Sequence, residues 1–159
     1  MLFRSSHPAH AVPGGPAPDL DLPWQMHELA DNFVARIDGV PLGRKLTDAE
    51  IDALHRCWAR YPVLVLPDQP LDHRAYERFA SEFGALGHNP YLRGLDQHPD
   101  IVEVRREAHE TTPIFGASWH SDWSFLAEPP SATLLHSKRI PPIGGDTCFA
   151  DATAAYAAL

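Results

Sequence analysis

The chain has 159 residues, of which 44% are hydrophobic and 21% charged, and its formal net charge is −8 at pH 7. This length suits one small domain with its own hydrophobic core. Lys and Arg form no cluster, so we expect no nucleic-acid partner. Apolar runs are too short for a membrane span, and the N-terminus lacks the apolar segment of a secretory signal. We therefore expect a cytoplasmic protein.

The two cysteines, Cys57 and Cys148, have neither disulfide-framework nor zinc-knuckle spacing, and we expect two buried thiols. Residues 1–23 are rich in proline and glycine and poor in apolar residues. This composition predicts a disordered extension. The folded domain is predicted over residues 24–159.

The first half of this domain predicts the order strand, helix, strand, helix. Residues 33–37 predict the first strand. Thr47 and Glu50 have the spacing of a capping box at the start of the first helix. Four apolar residues at 63–66, bounded by prolines, predict a strand buried on both faces. Asp72 is then placed to cap the second helix.

The second half predicts strands at 101–104, 132–138 and 146–150. Proline and glycine residues lie between these segments and break the chain into loops. Asp151 is placed to cap a last helix that begins at Ala152.

The segment 119–125 places an imidazole, His120, and a carboxylate, Asp122, two residues apart. On an extended backbone such residues point to the same face. Imidazole and carboxylate are two parts of the 2-His-1-carboxylate triad that holds non-haem Fe(II). In a chain with 10 histidines such a pair also arises by chance. Trp123 and Phe125, beside the pair, are expected to pack the strand rather than to touch a substrate.

Several stretches in order along the chain resemble the taurine dioxygenase-like (TauD/TfdA) family of Fe(II)- and 2-oxoglutarate-dependent oxygenases. They include Asp38-Gly39-Val40, Val63-Leu64-Val65-Leu66, Phe83-Gly84, Trp119-His120-Ser121-Asp122, Pro129-Pro130 and Gly144-Gly145-Asp146-Thr147. The resemblance implies an α+β, mainly β fold. The expected architecture is a double-stranded β-helix (jelly roll, cupin-like) with flanking helices, incomplete at the C-terminus.

The same resemblance implies a site and a reaction. His120 and Asp122 match the family's iron ligands, and Thr147 matches the threonine that binds the distal carboxylate of 2-oxoglutarate. From its residue type alone, Thr147 could equally be a β-branched side chain that fills a strand position. In the family reaction, O2 and 2-oxoglutarate give succinate and CO2 while a small organic substrate, here expected to be anionic, is hydroxylated.

Two parts of the family site have no match in this sequence: the second histidine ligand and the arginine that pairs with 2-oxoglutarate. His88, His109 or His136 would have to supply the third ligand if the site were completed within the chain or across a homo-oligomer. Ungapped alignment makes His88, Asn89 and Tyr91 candidates for lining a substrate pocket.

Three functional hypotheses therefore remain open. The chain is a truncated form of a 2-oxoglutarate-dependent dioxygenase that is inactive or weakly active alone, or a shortened oxygenase that completes its site within the chain or across a dimer. The third is a non-catalytic binding or interaction module that keeps the first half of the fold, whose exposed strand edges would pair with a partner.

Overall fold

The computed structural model describes residues 2–4, 20–87, 91–107, 109–111 and 116–159. These residues form a small α+β arrangement with two three-stranded sheets. The elements in chain order are β1 (Leu2–Arg4), β2 (Gln25–Ala30), β3 (Val34–Asp38), α1 (Asp48–Arg60), β4 (Val63–Val65), α2 (His73–Ser81), β5 (Ala85–Gly87), β6 (Ala132–Thr133) and α3 (Ala152–Ala157).

One sheet has the order β2-β3-β4, in which β2 pairs antiparallel and β4 parallel to the central β3. A parallel neighbour requires a crossover, and helix α1 makes that connection between β3 and β4. The other sheet has the order β5-β1-β6 with antiparallel pairs. The predicted α+β class is confirmed, whereas the jelly roll stays a prediction.

Strand β1 lies within the segment for which composition predicts a disordered extension. Its backbone pairs with β5 on one side and with β6 on the other. Composition reports whether a segment can bury apolar surface, but it cannot report a backbone pairing with strands more than eighty residues away in the chain. The division between the extension and the folded domain stays a prediction.

Each helix of the described residues begins directly after the polar residue that the sequence predicts as its cap. The Thr47 side chain accepts a hydrogen bond from the Glu50 N–H, and Glu50 in turn accepts one from the Thr47 N–H at 2.8 Å. Asp72 caps α2 by accepting from the Ala75 N–H, and Asp151 caps α3 by accepting from the Thr153 and Ala154 N–H groups. These side chains satisfy N–H groups that would otherwise lack a partner in the first turn of each helix.

The hydrophobic core lies between the inner faces of α1 and α2 and strand β3. Ile37, Leu54 and Cys57 are its largest fully buried side chains. Burial raises the pKa of the Cys57 thiol to about 11. Cys57 is buried as predicted, but Cys148 is exposed, so the expectation of two buried thiols is wrong for that residue.

Several predicted strands are shorter than expected or absent. Residues 101–104 and 146–150 form no strand, and of 132–138 only Ala132 and Thr133 pair. Strand β4 is not buried on both faces, since its Val65 side chain is 40% exposed. A short apolar run shows that a segment suits a strand, but a strand forms only where a neighbouring backbone supplies the hydrogen bonds.

No helix in the described ranges is both long enough and apolar enough to cross a membrane.

Replacing Leu54 with Ala tests the position of the core. Leu54 is completely buried on α1, so Leu54→Ala should lower the free energy of unfolding by about 2–5 kcal/mol. The matched control is Leu29→Ala, because Leu29 lies on β2 with 58% of its surface exposed. Urea denaturation of both variants makes the comparison, and equal losses would show that the core is placed wrongly.

The contacts of Glu50 at the start of α1 predict that the folded state loses stability in acid. The Arg44 guanidinium and then the Thr47 N–H lower the pKa of Glu50 from 4.5 to about 2. The unfolded chain therefore takes up a proton on Glu50 at higher pH than the folded chain does. The stabilisation is complete above pH 4.5 and is lost as pH falls towards 2.

Glu50→Gln should consequently flatten the decline of the urea midpoint between pH 5 and pH 2, roughly the window over which the two states differ in protonation. Asp52→Asn removes the same charge from an exposed position on the same helix and serves as the control. A decline of the same steepness in Glu50→Gln and in the wild-type chain would contradict this role of Glu50.

Candidate metal site

His120 and Asp122 point towards one another. The His120 Nε2 atom lies 3.0 Å from Asp122 Oδ1, and each side chain is about half exposed. The residues do not lie on a strand, because a turn begins at Asp122. The two side chains converge as predicted, but through this turn rather than through strand alternation. Their role as metal ligands stays a prediction.

The His120 ring is held from its other side by the backbone. Its Nδ1 atom lies 2.7 Å from the carbonyl oxygen of Ser118. A carbonyl only accepts, so Nδ1 carries the proton, and in the neutral ring Nε2 is the atom with the free lone pair. This contact with Ser118 and the neighbouring Asp122 carboxylate raise the pKa of His120. The raised pKa favours the imidazolium form, in which Nε2–H faces Asp122, and a cation would bind Nε2 only after that proton is lost.

Asp122 is held by a residue that the sequence analysis missed. The Thr133 hydroxyl donates a hydrogen bond to Asp122 Oδ2 at 2.8 Å. Thr133 belongs to β6, 11 residues further along the chain. No motif or spacing in the sequence marks it, because the contact depends on how the turn folds back towards β6.

The aromatic residues of this region form a second feature beside the pair. Trp123 has a left-handed backbone, with φ of 54°, which is unfavourable for a residue with a side chain. Its ring lies 5.7 Å from that of Phe125, and the Tyr91 ring lies 5.8 Å from Phe125. Phe125 is 64% exposed. The expectation that Trp123 and Phe125 pack a strand is therefore wrong, since both lie in a turn.

The remaining predicted site residues are placed as follows. Tyr91 is exposed and reaches the aromatic group just described. Thr147 lies in the exposed irregular segment 146–150. His88 and Asn89 lie outside the described residues. Their predicted roles, in binding 2-oxoglutarate for Thr147 and substrate for the others, remain predictions.

Within the described ranges, no three His, Cys, Asp or Glu side chains are grouped so that they could hold a metal ion. His136, one candidate for a third ligand, places Nε2 at 2.9 Å from the carbonyl oxygen of Gln69, and its ring packs against Tyr76. His109 is exposed, and the third candidate, His88, is not described. The structure thus brings together two of the donors that an iron triad requires.

Comparison with known proteins matches residues 25–159 to the model of the family described as taurine catabolism dioxygenase TauD, TfdA. The chain is 32% identical over 144 residues to an alpha-ketoglutarate-dependent 2,4-dichlorophenoxyacetate dioxygenase of Cupriavidus pinatubonensis. That match covers 80% of this chain and 50% of the relative. It is also 30% identical over 139 residues to an alpha-ketoglutarate-dependent sulfate ester dioxygenase of Pseudomonas putida, covering 87% of this chain and 45% of the relative.

Among solved structures, the chain is similar to a taurine dioxygenase from Burkholderia xenovorans, with a TM-score of 0.44 and 32% identity. That match covers 48% of this chain and 28% of the other. The chain spans about half the length of the curated relatives it matches. The family match extends over most of the sequence and includes the His120–Asp122 pair. The chain therefore belongs to the taurine catabolism dioxygenase TauD, TfdA family.

Proposed function

We propose that this chain provides the iron-binding half-site of an Fe(II)- and 2-oxoglutarate-dependent dioxygenase. The observation that carries the proposal is the 3.0 Å approach of His120 Nε2 to Asp122 Oδ1 within a TauD-family sequence. An imidazole nitrogen and a carboxylate oxygen are both ligand types that coordinate Fe(II). Outer hydrogen bonds to Ser118 and Thr133 already hold the two side chains, as is usual for metal ligands.

The donors present fit two of the three protein positions of a facial triad. His120 and Asp122 would hold the iron, which supplies the redox chemistry for O2 and 2-oxoglutarate when it is bound. The chain's own contribution is to hold Nε2 facing Asp122. The Ser118 carbonyl does this by accepting a hydrogen bond from Nδ1–H, so that Nε2 is the nitrogen that would bind the metal once it has lost its proton.

The rest of the site is proposed to come from the C-terminal part of the family domain, so that the chain corresponds to a truncated form of the enzyme. Its span of about half the relatives' length supports this proposal. Thr147 is proposed to donate a hydrogen bond to the distal carboxylate of 2-oxoglutarate, a charge-assisted contact. The arginine that would complete this carboxylate site would come from the same C-terminal part.

The proposed substrate is a small organic anion. The named relatives support this class, since one is called a 2,4-dichlorophenoxyacetate dioxygenase and another a sulfate ester dioxygenase. The Tyr91 and Phe125 rings lie 5.8 Å apart, and both side chains are largely exposed. They are proposed to contact the apolar part of such a substrate.

A specific observation also favours the second candidate, a non-catalytic interaction module. From residue 119 onwards, most large apolar side chains of the described region are more than half exposed: Trp119, Phe125, Leu135, Ile140, Ile143, Phe149, Tyr156 and Leu159. Where exposed apolar groups form one contiguous patch, they are typical of surfaces that bind another protein. The two candidates differ in whether the chain binds Fe(II) through His120 and Asp122.

Metal binding tests this difference directly. His120→Ala should weaken anaerobic Fe(II) binding, measured by calorimetry, by about tenfold or more, because one of two protein donors is lost. The matched control is His27→Ala, which removes an exposed histidine whose Nε2 lies 3.5 Å from Asp38 Oδ2 in another His–Asp pair. Equal losses in the two variants would show that Fe(II) binds to surface histidines without selectivity.

The cosubstrate provides a second test. Anaerobic addition of 2-oxoglutarate to the chain with Fe(II) should give the visible charge-transfer band of the chelate. Little succinate should follow the admission of O2, because the third ligand and the arginine are proposed to lie outside this chain. Asp122→Ala should abolish the band, whereas Asp151→Ala, which removes a carboxylate at the start of α3, should keep it. Absence of the band from the wild-type chain would favour the interaction module.

A further inference from the structure

The two oxygens of the Asp122 carboxylate have different partners. Oδ1 lies 3.0 Å from His120 Nε2, and Oδ2 accepts the hydrogen bond of the Thr133 hydroxyl at 2.8 Å. A carboxylate bonded at one oxygen loses rotational freedom about its side chain. The Thr133 contact therefore decides which oxygen faces the imidazole, and hence which oxygen would meet a cation there.

The residues next to His120 and Asp122 in the sequence do not by themselves hold the two side chains in this orientation. The segment from 119 to 128 has no helix or strand, and its internal hydrogen bonds are short-range, such as the 2.7 Å contact between the Ser121 and Ser124 hydroxyls. Of the partners that the described residues give to the two side chains, Ser118 is a near neighbour in sequence. Thr133 comes from a separate element, β6.

Thr133 is itself tied to the hydrophobic core. The carbonyl of the next residue, Leu134, accepts a hydrogen bond of 2.6 Å from the hydroxyl of Tyr76 on α2. Tyr76 is buried, and Ala132 and Leu134, on either side of Thr133, pack against the same core. A continuous series of contacts thus leads from α2 through β6 to the carboxylate of Asp122.

We propose that Thr133 is a positioning residue for the metal half-site, which orients Asp122 Oδ1 towards His120 and links that orientation to the core through β6. The inference rests on the proposed function, because it assigns a role towards the metal. It adds a residue to the site that neither the sequence motif nor the family resemblance assigns.

A purely structural role for Thr133 would depend on its shape, whereas a positioning role depends on its hydroxyl. Thr133→Val keeps the branched shape and removes the hydroxyl, and Thr133→Ser keeps the hydroxyl and removes the methyl group. The two variants therefore separate the two roles. Thr153→Val makes the same chemical change at an exposed position on α3 and serves as the control.

The first measurement is Co(II) affinity by calorimetry, with the visible Co(II) spectrum as a report on ligand geometry. Thr133→Val should weaken binding by about tenfold or more, as is usual when an outer partner of a metal ligand is removed. It should also change the spectrum. Thr133→Ser should bind within about twofold of the wild-type chain. Urea midpoints of all variants check that the fold is kept.

The second measurement needs no metal and follows the His120 ring by long-range ¹H–¹⁵N NMR at fixed pH. Thr133→Val should shift the ring resonances of His120, while Thr133→Ser and Thr153→Val should leave them in place. If Thr133→Val folds poorly, Thr133→Ala replaces it in both measurements.

Unchanged Co(II) affinity together with unchanged His120 resonances in Thr133→Val would overturn the positioning role. Loss of binding in His120→Ala would at the same time leave the proposed function intact. If the wild-type chain binds no Co(II) or Fe(II), the proposed function fails. The His120 resonances then still decide whether Thr133 orients the pair, since they report on Asp122 without metal.

Discussion

The hydrogen bond from the Tyr76 hydroxyl to the Leu134 carbonyl joins the two parts of this molecule. Tyr76 belongs to the core face of α2, and burial raises its pKa to about 12. Leu134 follows directly on β6, whose Thr133 reaches Asp122. His136 and Lys138 add parallel contacts to the carbonyls of Gln69 and Leu71, just before α2. Through these contacts a well-packed helix supports an exposed site.

The His120–Asp122 pair is held in place with little secondary structure. A backbone carbonyl fixes the tautomer of His120, and a hydroxyl fixes the orientation of Asp122. His120 Nε2 and Asp122 Oδ1 then lie 3.0 Å apart, at the point where a turn begins. Pre-arrangement by outer hydrogen bonds lowers the entropy that a metal would otherwise have to remove on binding.

Burial is unevenly distributed along the chain. In the described residues, every buried apolar side chain lies between Ala35 and Ile101, and α3 buries none of its residues. Within the described residues, the segment that carries His120 and Asp122 therefore contributes no buried side chain to the core. This arrangement agrees with a site whose remaining donors and apolar cover are proposed to come from the second half of the family domain.

The sequence by itself determined the helices, their caps and the family to which the chain belongs. Thr47, Asp72 and Asp151 act on their own next few residues, so local patterns suffice to find them. The predicted strands at 101–104 and 146–150 do not form, because a strand needs a neighbouring strand to pair with, and that partner lies far away in the sequence. For the same reason only the tertiary structure could reveal β1 in its sheet, or Thr133 beside Asp122. Contacts between residues far apart in sequence leave no periodic signal in the chain.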